Sequence, residues 1–190
     1  DVRSYLQQAL KDTENPNYAN LTLYEDSLLW IGRQYQKKHI RYVEISDTTL
    51  VKKDRSAAYM LEQIHHILPL VKEETGVDIR FLAAIRRIPL TLVKDNITAG
   101  NYLTEAIQAL KVVCRDPYVV GSDFVGEEIN DIGELKAVIR EIITKIASED
   151  KNWTVRIHAG ENDSLKSNMA KAIDLVEQSL LPGQSFPYMR

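Results

Sequence analysis

The residues best placed to do chemistry close one short run, Thr154–Glu161, which reads T-V-R-I-H-A-G-E. Val155 and Ile157 alternate with Arg156 and His158, the period of two that marks a β-strand. Gly160 then stops the strand. An imidazole and a carboxylate, His158 and Glu161, therefore stand where a strand opens into a loop. That is where α/β folds keep their chemistry. Composition alone also allows a plain strand end with a chance histidine.

A second stretch, Val119–Glu128, reads V-V-G-S-D-F-V-G-E-E. Asp123 shares a side with Gly121 and is read as a buried carboxylate that orients strand-end groups, rather than as a catalyst. Gly126 reads, without further information, as an ordinary glycine after a strand. Gly121 and Gly126 have the spacing of a phosphate-binding loop, but Glu127 stands where that loop needs lysine, so a P-loop is rejected. His65 and His66 lie mid-helix without an H-E-x-x-H pattern and read as a partly exposed helix face.

The two stretches together change the weighting. His158-Ala159-Gly160-Glu161 resembles the H-A-G-E motif of the adenosine deaminase family, zinc-dependent (β/α)8-barrel hydrolases of the metal-dependent amidohydrolase superfamily. The run Val119–Glu128 is similar to that family's strand-4 signature: an apolar run, Asp, two apolar or small residues, Gly and an acid. The motifs follow in the family's order, with one helical segment between them. The resemblance implies that His158 ligates zinc and that Glu161 is the general acid, delivering a proton to the purine ring. It implies that Gly126 lets a backbone N–H approach the base, since only glycine brings no side chain there. Arg86 follows a strand where relatives often carry arginine, though a solvated or ion-paired role is the expectation. Phe124-Val125 stand where the common small deaminases have Leu-Ala, which leaves the subfamily open. One cysteine excludes the base deaminases built on an H-x-E and C-x-x-C signature.

The elements that must carry these groups alternate. A helix-like start covers Asp1–Asn20 with a polar loop, and Leu21–Lys38 reads as an amphipathic helix with Leu28, Ile31 and Tyr35 near one face. Strands are predicted at His39–Ser46, Asp78–Ile85, Tyr118–Phe124 and Thr154–His158. Helices are predicted at Asp54–Thr75, kinked by Pro69 and stopped by Gly76, and at Asn101–Val113. A further helix runs from a cap at Asp131 through Ile146, and a last one from Asp163 or Ser164 through Leu181. The tail Gln184–Arg190 shows no clear pattern. Helix, then four strand–helix units, argues for an α/β fold with a parallel sheet. Four strands do not close a barrel, which needs eight. The residues alone allow a small open sheet; the resemblance implies a partial (β/α)8 TIM barrel, with residues 1–190 a single central fragment covering about strands 2 to 5. Arg156 and Glu44 then fall on the barrel's interior, where buried charges need partners, so Arg156 is expected to pair with Glu44 or Asp123.

The chain of 190 residues is 44% hydrophobic and 27% charged, enough for one domain with a sizeable core. A net charge of -3 argues against a nucleic-acid surface. No apolar run approaches the ~20 residues of a membrane span, and no secretory segment is visible. Cytoplasm is slightly favoured; secretion stays open because the chain starts at Asp1 and not at Met. Cys114, alone, rules out an intramolecular disulfide and a cysteine-rich metal site, and reads as a packed small hydrophobe. Asn20-Leu21-Thr22, Asn96-Ile97-Thr98 and Asn152-Trp153-Thr154 fit the glycosylation triplet without establishing secretion. The expected activity is therefore that of a parent enzyme taking a purine nucleoside, with one zinc ligand in this chain and the isolated fragment inactive. The alternatives are another metal-dependent amidohydrolase, or a truncated barrel that binds nucleoside or self-associates through open sheet edges.

Overall fold

Thr22 sets the start of the first helix. Its Oγ1 accepts from the Glu25 amide at 3.2 Å, while its own amide donates to Glu25 Oε2 at 2.7 Å, a reciprocal capping box. The computed structural model describes residues 20–52, 54–87, 96–148 and 152–189. The helix-like start expected within the first twenty residues lies outside them but for Asn20.

Helix α1 spans Leu23–Lys37. It ends where His39 turns left-handed (φ 59°) and its amide reaches Gln36 O at 2.9 Å. That ending corrects the predicted first strand: His39 closes the helix, and β1 is Tyr42–Asp47. Helix α2, Asp54–Thr75, runs through Pro69, and Gly76 (φ 68°) ends it as expected, its amide bonding Lys72 O at 2.9 Å. Strand β2 is Asp78–Arg86, α3 is Asn96–Val113, and β3 is Val119–Val125. Helix α4 is Lys136–Lys145, β4 is Thr154–Ile157, α5 is Asn168–Glu177, and β5 is Tyr188–Met189.

Several boundaries differ from expectation. Helix α3 begins five residues earlier than predicted, at Asn96 rather than Asn101. Asp131 caps a 3-10 turn, Ile132–Leu135, which leads directly into α4. Asp163 and Ser164 do not cap the last helix: they lie in another 3-10 turn, whose Ser164 amide is taken by Asn162 Oδ1 at 3.0 Å. Helix α5 then starts at Asn168 without a side-chain cap and ends at Glu177, short of Leu181. The tail read as patternless supplies β5, beside β4.

The sheet order is β1-β2-β3-β4-β5. Strands β2 to β5 pair in parallel, with Ala84 opposite Asp123 and Asp123 opposite Arg156. Each strand lies beside the next in sequence, and helices alternate with them. This is an α/β fold with the order of a barrel arc rather than the reversing order of a doubly wound sheet.

The chain divides into two compact units. The first is Asp1–Ile45 with Tyr59–Arg80. Its core is Leu28, Leu29, Ile64, Ile67, Leu68 and Val71, all buried. Gly32 lets α1 and α2 approach closely, since a Cβ there would lie 2.5 Å from Val71 Cγ1. Arg33 grips Glu74 with two parallel bonds of 2.5 and 3.1 Å. The second unit, Ser46–Ala58 with Phe81–Arg190, carries the candidate site. In it β2 is buried from Phe81 through Ile85, as a parallel strand covered on both faces should be. Buried Ala106, Leu110 and Val113 of α3, Ile139 and Ile143 of α4, and Val176 of α5 complete that core. Trp153, fully buried, donates its indole N–H to Ser122 Oγ at 3.2 Å. Cys114 is half-buried rather than fully packed, its thiol directed at Lys111 O at 3.6 Å.

Candidate functional site

Parallel pairing of β3 and β4 puts the groups singled out from the sequence at one end of the sheet. Gly126 follows the C-terminal end of β3, and His158 follows that of β4. Asp123, on β3, lies beneath them and is fully buried. Ser46, near the end of β1, donates its hydroxyl to Asp123 Oδ2 at 2.5 Å. Arg156 Nη1 stands 3.6 Å from the same oxygen and donates to Ser46 Oγ at 3.4 Å. The expected pairing of Arg156 with Asp123 is therefore present.

His158 is held by its Nδ1. That atom lies 2.9 Å from Phe124 O and 3.2 Å from Asp123 Oδ1. Both neighbours are acceptors, so Nδ1 carries the proton and the neutral ring keeps its lone pair on Nε2. The N–H is directed at the carbonyl; Asp123 Oδ1 is within ion-pair range but receives no hydrogen bond. A half-exposed imidazole whose inner nitrogen is anchored and whose outer nitrogen is basic can ligate a metal ion or accept a proton.

Glu161 is exposed, and its placement comes from its backbone. Glu128, a buried residue two positions beyond Gly126, turns its carboxylate onto the loop. Its Oε1 accepts from the Gly160 amide at 2.9 Å and from Asn168 Nδ2 at 2.8 Å, and its Oε2 accepts from the Asn162 amide at 2.9 Å. The Glu161 amide donates to the same carboxylate. Three successive amides around Gly160 (φ 79°) thus form a nest that this chain fills with its own anion. Burial alone would raise the Glu128 pKa, but the side chain of Asn168 and these amides outweigh it and hold it at about 2. From the other side Arg87, almost fully buried, donates Nη1 to the His158 carbonyl at 2.8 Å.

Gly126 has φ 111°, so its backbone conformation calls for glycine whatever approaches it. Arg86 is exposed, and its amide donates to the Tyr102 hydroxyl at 2.9 Å. Of the two adjacent arginines it is Arg87 that turns into the site. His65 and His66 are exposed as expected, and His66 Nδ1 meets Glu25 Oε1 at 2.6 Å within the first unit. Glu128 and Arg87 were not singled out from the sequence. Glu128 falls within Val119–Glu128, where nothing in the sequence distinguishes it from Glu127.

Two hollows lie elsewhere. One of about 410 Å³ is lined by Cys114, Asp116, Val119 and Asn152, at the N-terminal ends of β3 and β4. Another, of about 310 Å³, lies around Pro182 and Gln184. Among the described residues, no group of three or more His, Cys, Asp or Glu side chains gathers to hold a metal ion, and no helix is long and apolar enough to cross a membrane. Compared with protein-family models and with curated proteins, the chain matches none.

Proposed function

We propose that this chain is part of a zinc-dependent hydrolase that deaminates adenosine or a related aminopurine nucleoside, yielding the keto form and ammonia. The observation that carries the reading is the anchored His158 ring at the end of β4, with Nδ1 on Phe124 O at 2.9 Å and Glu161 three residues on. Anchoring one imidazole nitrogen on a carbonyl is how proteins present the other to a metal. Zinc, when bound, lowers the pKa of water to ~7 and so supplies hydroxide at neutral pH. Zinc takes roughly four ligands. The described residues contribute His158 through Nε2, so the other donors belong to residues outside them. Glu161 is the proton donor to the ring nitrogen, Gly126 the backbone contact to the base, Phe124 O the acceptor that orients the His158 ring, and Asp123 the buried carboxylate beside it.

The test is zinc content and adenosine deamination by the intact protein and two variants. Glu161→Gln keeps zinc and loses most activity, whereas His158→Ala loses zinc. Full activity of Glu161→Gln refutes the role given to that residue. A second reading rests on the sheet edges at β1 and β5: the chain binds nucleoside, or self-associates through those edges, without catalysis. An intact protein that neither takes up zinc nor deaminates, yet dimerises with concentration, establishes that reading instead.

A further inference from the structure

The loop His158–Asn162 has its backbone polar groups met by two buried side chains of opposite charge. Arg87 takes the His158 carbonyl at 2.8 Å. Glu128 takes the Gly160 and Asn162 amides, each at 2.9 Å, and the Glu161 amide between them. Neither residue reaches the loop through the side chains of His158 or Glu161. Asn168 Nδ2, at 2.8 Å from Glu128 Oε1 and 3.1 Å from Asn130 O, fixes the carboxylate from behind. The Asn168 Oδ1 meanwhile accepts the Ile132 amide at 3.0 Å, which ties the start of α5 to the 3-10 turn after β3. The Glu128 carboxylate is thus held before it holds anything. With the Glu161 side chain exposed, the main chain sets its Cα and so the region its carboxylate can reach. We infer that Glu128 is the positioning residue of the candidate site, holding the main chain from which the Glu161 carboxylate reaches, with Arg87 as its counterpart at His158.

This inference rests on the catalytic role given above to Glu161. A glutamine at 128 matches the carboxylate in shape, but it turns an NH2 toward a cluster of donors. Conformational mispositioning of a reacting group by about 1 Å costs ~100-fold in rate.

The experiment compares Glu128→Gln and Glu128→Asp with the wild-type intact protein, reading amide hydrogen exchange, zinc content and the steady-state constants for adenosine. For Glu128→Gln we expect exchange across residues 160–162 to speed up by at least about tenfold, with β3 and β4 unchanged. We expect kcat to fall ~100-fold, with KM and zinc content held. A general loss of packing would move β3, β4 and KM as well, and that pattern overturns positioning. Wild-type exchange, or wild-type kcat in a loosened loop, also overturns it. Where Glu128→Gln does not fold, Glu128→Asp decides. Aspartate keeps the charge but withdraws the carboxylate, so faster loop exchange with reduced kcat supports the proposal and wild-type behaviour overturns it. If the wild-type protein has no deaminase activity, it is the functional reading that fails. The exchange data then still support or refute Glu128 as the residue holding the loop.

Discussion

Asp123 and Glu128 are both buried carboxylates, and their surroundings give them different work. Glu128 is saturated by three amides and the Asn168 side chain, so it holds structure. Asp123 has Ser46 and Arg156 on one oxygen and leaves the other beside His158 without a hydrogen bond. A carboxylate behind a metal-ligating imidazole is an outer-shell group, and loss of such a group costs roughly 10- to 100-fold in metal affinity. Asp123→Asn is therefore expected to weaken zinc binding by the intact protein by that factor, measured by competition with a chelator. Unchanged affinity refutes an outer-shell role for Asp123 behind His158. The strand period was enough to place Asp123 and His158, because both lie on or at the end of regular strands. It failed at Glu127 and Glu128, and at Arg86 and Arg87, because alternation ends with the strand. Which of two adjacent charges turns inward is decided by a loop more than thirty residues away, Glu128 finding the amides of Gly160 and Asn162.

The elements themselves were legible where hydrophobic period and end signals agreed, as in α2 with Gly76. They were less so where a 3-10 turn intervened, since Asp131 and Asn162 satisfy the amides of short turns that the eye assigns to the helices beyond. The two-residue β5 carries too few residues for any period to show. Two substitutions test what holds the elements. Thr22→Ala removes the box at the start of α1 and the 2.5 Å bond to Gln63 Oε1, and is expected to cost about 1 kcal/mol in a urea unfolding titration. Gly121→Ala is expected to do more. A Cβ there would press on the Thr154 carbonyl oxygen of the neighbouring strand and stand 2.8 Å from Leu82 Cδ2. Backbone in mid-sheet cannot yield as a side chain can, so we expect a loss of roughly 3 kcal/mol or more. A variant melting within a degree or so of wild type removes that account of Gly121.

At the scale of the whole molecule, each unit holds a buried carboxylate below its ordinary range. In the first unit burial alone would raise the Glu25 pKa, but the Thr22 amide and hydroxyl and the His66 ring outweigh it and lower it. In the second unit Glu128 is held at about 2. Asp131 is also lowered, by its contact with Lys171 and the Gly133 amide. Asp26 runs the other way: burial and the neighbouring Glu25 raise it, which offsets part of the effect. A carboxylate whose pKa is lower folded than unfolded binds fewer protons in the native state. Its contribution is complete above the unfolded value and is lost as pH falls toward the folded one. For Glu128 that window runs from its ordinary 4.5 down to about 2, and the contribution is on the order of 3 kcal/mol. Acid therefore withdraws support from both units, and at Glu128 it does so at the loop that carries Glu161. Urea unfolding is expected to show stability that is level near neutrality and declines below about pH 4.5, while the Glu128 carboxyl carbon titrates near 2 by NMR. A midpoint near 4.5 means that the amides of Gly160, Glu161 and Asn162 do not hold that carboxylate in solution, and the positioning role falls with it.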